Sequence, residues 1–291
     1  MGLNTPSQER LLRSLARELR AAGVDNADQE AAWLAAGCLG CPAADLWRHA
    51  GAPVAPEAAA RCTAALRRRL AGEPLAYILG NQEFGGLTLQ VGPGALIPRP
   101  ETEELVERVL ERLPAPAAGE APRLLDACTG PGTIACVLAS RRPDAAVFAM
   151  DLESAALAWA RRNRAALGLA NLHLWQGDLL DALRPAARFT VIVANPPYIP
   201  ESAWPSLAPG VRDHEPRSAL LASDNGLAVL QRLTAAAGRH LSPGGWLLCE
   251  IGHDQEAAAL GLCANGGLRE AAVHRDLAGQ PRYLLARTPV A

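Results

Sequence analysis

A buried strand that leads into a glycine-rich turn and then a helix restricts the possible folds of this chain more than any other feature. The run Arg123-Leu124-Leu125-Asp126-Ala127 has the composition of a short buried strand, and a helical pattern covers residues 133–141. Between them lies the turn Cys128-Thr129-Gly130-Pro131-Gly132. Glycine is needed where a ligand lies against the backbone, because a Cβ would occupy the ligand's place. The pattern predicts an α/β fold with a cofactor loop at the end of a strand.

Two further apolar runs lead to acidic residues. Residues 146–151 end in Asp151, roughly twenty residues after the glycines, where a carboxylate can hold both hydroxyls of a ribose. The same residue could instead belong to the start of the helix that begins near Ser154, and the two interpretations are about even. Residues 172–176 lead into Gly177-Asp178-Leu179, a loop that could cover an adenine, although Asp178 taken singly fits a plain strand exit.

The tetrad Asn195-Pro196-Pro197-Tyr198 follows a fourth apolar run at residues 189–194. The prolines lack an N–H and have a fixed φ, so the loop is stiff and its carbonyl oxygens stay outside a backbone ladder. Those oxygens and the Asn195 side chain can accept hydrogen bonds from an –NH2 group, and the Tyr198 ring can stack on a planar substrate. The tetrad predicts a site for a nitrogen acceptor.

Several other functions fit parts of the pattern. Residues 130–135 satisfy the dinucleotide motif G-x-G-x-x-A, but Pro131 removes an N–H that a pyrophosphate would need. An exocyclic amine of a flipped adenine would also suit the tetrad, yet a net charge of −2 argues against a nucleic-acid surface. All 28 basic residues are arginines, which excludes P-loop and Schiff-base lysines. A non-catalytic binding module remains a further alternative.

Composition bounds the class of protein. The chain has 291 residues, 49% of them hydrophobic, enough for an α/β core and a smaller domain. No stretch resembles a transmembrane helix or a secretory signal, and seven scattered cysteines suit a reducing compartment, so we expect a cytoplasmic location without membrane partners. Cys38 and Cys41 have no second pair at ligand spacing, and we expect no metal site.

The front of the chain has helical patterns over residues 8–22, 28–39, 43–49 and 56–71. Strand-like flanks around Gly85-Gly86 predict a β-hairpin. We therefore divide the chain into a helical substrate-recognition domain at residues 1–80, a hairpin linker at 81–100 and a catalytic domain at 101–291.

Taken together, the motifs resemble those of class I S-adenosylmethionine-dependent methyltransferases, and in particular the bacterial peptide chain release factor glutamine methyltransferases. The resemblance rests on the glycine turn, Asp151, Gly177-Asp178 and the tetrad. Three further segments strengthen it, Glu73 to Gly80, Leu96 to Glu103, and Glu250-Ile251-Gly252. It implies a Rossmann-like seven-stranded methyltransferase sheet with a small N-terminal α-helical domain joined by a β-hairpin. The implied reaction is methylation of the N5 atom of a glutamine in a Gly-Gly-Gln segment of class 1 release factors, which modulates translation termination.

The resemblance also implies roles for individual residues. The turn residues Cys128 to Gly132 pack against S-adenosylmethionine, Asp151 holds its ribose, Leu179 lies by its adenine and Asn195 contacts both cofactor and substrate. Asn195, Pro196, Pro197 and Tyr198 hold the glutamine, with Asn195, Pro196 and Tyr198 acting in catalysis. We identify no dedicated general base, and alignment of the amide nitrogen with the methyl group is expected to supply about 7 to 11 kcal/mol of the catalysis.

Two positions depart from the family pattern. The turn opens with Cys128 where the family usually has glycine, and Leu179 stands where an aromatic residue is common. A cysteine at the first position resembles sibling enzymes that methylate a glutamine of a large-subunit ribosomal protein. That protein is therefore the main alternative substrate.

Overall fold

The computed structural model describes residues 6–113 and 121–290. The chain divides into two compact units after Gly80. Residues 209–214 belong with the first unit, and the rest of the chain after Gly80 forms the second.

The first unit is helical, and one apolar face of its first helix forms the centre of its core. Leu15 and Leu19 on that helix are almost completely buried. The helices of residues 6–80 are α1 Gln8–Ala21, α2 Ala27–Leu39, α3 Pro56–Leu70 and α4 Leu75–Leu79. The helix predicted for residues 43–49 is wrong, since only a 3-10 turn at Ala43–Asp45 forms there. Pro42 immediately before that turn and Gly51 soon after it leave little room for a regular helix.

A tight antiparallel hairpin opens the second unit. Its strands are β1 Asn81–Phe84 and β2 Leu87–Gln90, with Phe84 paired to Leu87. Gly85 and Gly86 form the turn with φ values of 56° and 80°, which only glycine adopts at little cost.

The main element of the second unit is a seven-stranded sheet with the order β10-β11-β9-β6-β3-β4-β5. Strand β11 runs antiparallel to both of its neighbours, and the other adjacent pairs are parallel. The strands are β3 Arg123–Ala127, β4 Ala146–Asp151, β5 Leu172–Gln176, β6 Phe189–Ala194, β9 Leu241–Glu250, β10 Arg269–Arg275 and β11 Pro281–Arg287. A separate short pair joins β7 Ile199–Pro200 to β8 Leu221–Ala222.

Helices cover the sheet, and alternate side chains of each strand enter opposite apolar clusters. Leu124 and Val193 lie in one cluster, whereas Leu125 and Ile192 lie in the other. The helices of this part of the chain are α5 Pro100–Glu111, α6 Thr133–Arg141, α7 Ser154–Ala166, α8 Pro209–Arg212, α9 Arg217–Leu220, α10 Ala228–His240 and α11 Glu256–Asn265, with α8 belonging to the first unit. The fold class predicted from the sequence is confirmed.

Within residues 6–113 and 121–290, every helix is too short or too polar to cross a bilayer.

Candidate active site

A cavity of about 310 Å³ opens at the carboxyl ends of the central parallel strands. Parallel strands end at one edge of a sheet, so the loops that follow β3, β4, β5 and β6 meet there. Of the eleven residues to which the resemblance assigns roles, eight line the cavity, namely Cys128, Thr129, Gly130, Pro131, Asp151, Leu179, Asn195 and Pro197. Gly132, Pro196 and Tyr198 do not form part of its wall.

The loop between β3 and α6 is held open toward the cavity by its backbone. Cys128, Gly130 and Gly132 all have positive φ values, of 64°, 57° and 85°. A Cβ on Gly130 would meet no heavy atom within 4 Å, whereas one on Gly132 would lie 3.2 Å from the Cys136 sulfur. Gly130 therefore leaves room for a ligand, and Gly132 is required by the packing of α6.

Asp151 is held against this loop. Its Oδ2 accepts a hydrogen bond from the Gly130 N–H at 2.7 Å, and its Oδ1 accepts one from the Glu153 N–H at 2.9 Å. Burial raises the pKa of this carboxyl, and the two N–H donors act in the opposite direction. The carboxylate thus bonds to the segment just before α7 and lines the cavity, and its role in holding a ribose stays a prediction.

Asp126 is a second acid of the site, and sequence reasoning gave it no role. Its side chain is completely buried at the end of β3, where Oδ2 accepts from the Thr129 hydroxyl at 2.6 Å and from the Ala135 N–H at 3.1 Å. Its other oxygen has no hydrogen-bond partner among the described residues. Burial raises the pKa of Asp126 to about 7. The available signal was an acid inside an otherwise apolar strand.

The part of the cavity wall near Leu179 contains a charged group that was also not anticipated. Leu179 is 8% exposed and has a φ of 49°. Next to it, Arg232 of α10 lines the cavity and bonds to Asp178 at 2.9 Å and to Asp181 at 2.7 Å. Asp178 therefore fixes an arginine at the rim, in addition to ending the loop after β5.

The tetrad after β6 is anchored to two other segments. The Asn195 Nδ2 donates to the Thr102 hydroxyl oxygen at 3.1 Å, and the Thr102 hydroxyl donates to Glu250 Oε2 at 2.7 Å. No described residue donates a hydrogen bond to the Asn195 side-chain oxygen or to the Pro196 carbonyl. Asn195 lines the cavity, so its side-chain oxygen is available to a ligand, whereas Pro196 is buried and is not part of the cavity wall.

Tyr198 turns away from the cavity toward the end of β9. Its hydroxyl donates to Glu250 Oε1 at 3.3 Å, and burial raises the pKa of this phenol. Its carbonyl oxygen accepts from Gln255 Nε2 at 3.0 Å. Tyr198 thus fixes the far end of the tetrad, while Asn195 and Pro197 face the cavity.

Arg99 lines the cavity and forms an ion pair with Glu215 at 2.5 Å. The other oxygen of Glu215 accepts from the Ile97 N–H at 2.9 Å. This buried carboxylate joins two segments that are 116 residues apart.

Comparisons with known proteins show to which family the chain belongs. Residues 10–80 match the family described as PrmC N-terminal domain, and residues 105–205 match the one described as Methyltransferase small domain. The chain is 47% identical to the release factor glutamine methyltransferase of Bordetella pertussis, over 87% of this chain and 92% of that protein. The corresponding protein of Geobacter sulfurreducens is 40% identical over 91% of each chain.

The chain belongs to the release factor glutamine methyltransferase family. The solved structure of a methyltransferase from Pyrococcus furiosus has the same fold, with a TM-score of 0.51 and 16% identity over 70% of this chain and 90% of that one. Membership of the release factor glutamine methyltransferase family confirms the resemblance seen in the motifs and does not favour the ribosomal-protein alternative. It also confirms that the chain is a methyltransferase, so an oxidoreductase and a non-catalytic module are not supported.

Proposed function

We propose that this enzyme transfers a methyl group from S-adenosylmethionine to the side-chain amide nitrogen of a glutamine in a release factor. The observation that carries the proposal is the Asn195 side-chain oxygen, which accepts no hydrogen bond from a described residue and belongs to a residue that lines a cavity suited to the cofactor. The Pro196 carbonyl next to it in the chain likewise accepts no hydrogen bond from a described residue. The names of the family relatives support a release factor as the substrate.

The residues of the cavity fit S-adenosylmethionine. Open space over Gly130 leaves room for the ligand at the loop, and Asp151 has lone pairs beyond those used by its two N–H donors to accept ribose hydroxyls. Leu179 gives an apolar wall for the adenine. The unpartnered, buried oxygen of Asp126 beneath the loop is a further polar group near the same cavity. Cys128, Thr129 and Pro131 complete the wall, and Gly132 supports it from behind.

Asn195 and Pro196 would hold the substrate nitrogen. An –NH2 group has two N–H donors, and the two free oxygens can accept one hydrogen bond each. Pro197 lines the cavity beside them, and Tyr198 keeps the loop in place through its bonds to Glu250 and Gln255. When both hydrogen bonds are formed, the substrate carboxamide can no longer rotate about the bond that joins it to its side chain.

Alignment is the main contribution that these residues make to the reaction. When bound, S-adenosylmethionine supplies an electrophilic methyl group on a sulfonium. A carboxamide nitrogen is a poor nucleophile because its lone pair is delocalised, so the rigid tetrad must hold it in line. The hydrogen bonds to Asn195 and Pro196 also strengthen as positive charge develops on the nitrogen, which stabilises the transition state.

The finer assignments rest on the resemblance of the motifs. The substrate glutamine is that of the Gly-Gly-Gln segment of class 1 release factors. The helical domain at residues 1–80 recognises this partner, the hairpin at 81–100 links the domains, and residues 101–291 carry out the reaction in the cytoplasm without nucleic acid or membrane.

Mass spectrometry of a release factor after incubation with the enzyme and S-adenosylmethionine tests the proposal. The expected product carries one added methyl group on a single glutamine. Asn195→Ala should abolish transfer while cofactor binding persists, and Asn265→Ala at the exposed end of α11 should behave like the wild type. An unmodified release factor, or full turnover by Asn195→Ala, would contradict the proposal.

A further inference from the structure

Three segments far apart in sequence meet behind Asn195. Thr102 lies in the first turn of α5, Glu250 ends β9 and Asn195 follows β6. Thr102 is 2% exposed and Glu250 is 1% exposed, so water does not compete for their hydrogen bonds. The three side chains form the chain of bonds Asn195 to Thr102 to Glu250.

The direction of these bonds follows from the donors available. An ionised carboxylate can only accept, so the single hydroxyl proton of Thr102 must point to Glu250. The Thr102 oxygen then has only lone pairs left for Asn195, and it must face the amide –NH2 end. Because an amide is planar, its oxygen is then directed to the opposite side.

We propose that Glu250 and Thr102 are positioning residues that fix the Asn195 carboxamide with its oxygen toward the substrate. The part of this proposal that concerns the substrate rests on the proposed function, in which Asn195 binds the substrate amide. In this orientation Asn195 accepts a hydrogen bond and cannot donate one to the substrate. The site then selects a group that carries N–H bonds, such as a glutamine amide, and disfavours a glutamate carboxylate, which has no proton to donate.

Protonation of Glu250 would release this constraint. A neutral carboxyl can donate to the Thr102 oxygen, so that the Thr102 proton is free to bond the oxygen of Asn195 and the amide can flip. Three other groups act on Glu250. The Tyr198 hydroxyl donates a hydrogen bond to it, and the charge of Arg282 favours its ionised form. The charge of Glu101 disfavours that ionised form. Burial is the largest influence and raises its pKa.

Conservative variants of Thr102 separate positioning from simple packing. Thr102→Val keeps the shape but removes the hydroxyl, and kcat should fall by about 10- to 100-fold while the cofactor Kd changes less than about 3-fold. Thr102→Ser keeps the hydroxyl and should recover most of kcat. Thr234→Val is the matched control, because Thr234 is 1% exposed and its hydroxyl bonds only to carbonyl groups of its own helix.

The orientation of the amide can also be read without turnover. In protein labelled with ¹⁵N-asparagine, the Asn195 side-chain resonance, assigned by its loss in Asn195→Asp, should shift with pH as Glu250 titrates. That shift should persist in Thr102→Ser and disappear in Thr102→Val and in Glu250→Gln. Because protonation of Glu250 lets the amide flip, kcat of the wild type should fall at low pH, and this fall should be absent in Glu250→Gln.

Two results would overturn the proposal. One is equal kcat in Thr102→Val and Thr102→Ser, and the other is an Asn195 resonance that titrates in Thr102→Val as in the wild type. If the wild-type enzyme failed to methylate a release factor, the proposed function would be contradicted. The resonance experiment would still decide whether Thr102 and Glu250 fix the orientation of the Asn195 amide.

Discussion

Replacing Gly226 with alanine should impair methyl transfer because it displaces the tetrad at residues 195–198. Gly226 lies between β8 and α10 with a φ of 83°, and an added Cβ would be only 2.1 Å from the Tyr198 carbonyl oxygen. A separation of at least 3.0 Å is needed, so the peptide must shift by about 1 Å, and a shift of that size at a reacting group can cost about 100-fold in rate. Alanine in the left-handed region adds roughly 1–2 kcal/mol of destabilisation.

Gly279→Ala is the matched control for Gly226→Ala. Gly279 has a φ of 78° in the hairpin between β10 and β11, and a Cβ there would meet nothing within 4 Å. Backbone strain should cost each variant about 1–2 kcal/mol of unfolding free energy, measured by denaturant titration. The clash with the Tyr198 carbonyl should cost Gly226→Ala about 1–3 kcal/mol more. Only Gly226→Ala should lose kcat by about 100-fold, with the cofactor Kd, measured by calorimetry, close to that of the wild type. If the two variants had the same kcat, the link between Gly226 and the tetrad would be refuted.

Variants at three further positions probe the cofactor loop and the two acids next to it. Asp151→Asn should weaken S-adenosylmethionine binding by about 1.5–3 kcal/mol in calorimetry, because neutral acceptors form weaker hydrogen bonds, and an unchanged Kd would contradict the ribose role. Cys128→Gly should be about 1 kcal/mol more stable than Cys128→Ala, because only alanine keeps a Cβ at a φ of 64°, and the reverse order in chemical denaturation would be inconsistent with strain. Asp126 has a pKa of about 7, above its usual value, so its contribution to stability is complete at low pH and is lost as pH rises toward 7. The unfolding free energy of the wild type should therefore fall by about 2 kcal/mol relative to Asp126→Asn between pH 5 and pH 7, and parallel pH curves would disprove this.

The sequence was sufficient for the fold class and the family because both follow from local patterns. Strands β3, β4, β5 and β6 are short apolar runs bounded by turns, and each was predicted with the bounds that the structure has. The resemblance of the motifs assigned the glycine turn, Asp151 and the tetrad to one site, and in the structure they meet because parallel strands end at one edge. The roles assigned to the individual site residues remain predictions.

What the sequence did not reveal depends on contacts between distant segments. Asn163 of α7 is an example, since its amide donates to the Pro131 carbonyl at 2.9 Å and to the Gln90 carbonyl at 3.0 Å, which ties the cofactor loop to the hairpin. No local pattern predicts that an asparagine on a helix will do this. The partner of Arg99 and the bonds of Thr102 and Glu250 were missed for the same reason.

Short segments with weak patterns were the other source of error. The predicted helix at residues 43–49 was too short for periodicity to distinguish a helix from a turn. The pairing of β7 with β8 was not foreseen, because strands of two residues carry no alternating pattern.

A crystal structure of the enzyme with S-adenosylhomocysteine and a glutamine-containing peptide tests the central claim most directly. The expected result is a thioether sulfur that faces the glutamine nitrogen, with the Asn195 side-chain oxygen and the Pro196 carbonyl both within hydrogen-bond distance of that nitrogen. A ligand bound away from residue 195, or acceptor oxygens that point into the protein interior, would contradict the claim that the tetrad holds the nitrogen for methyl transfer.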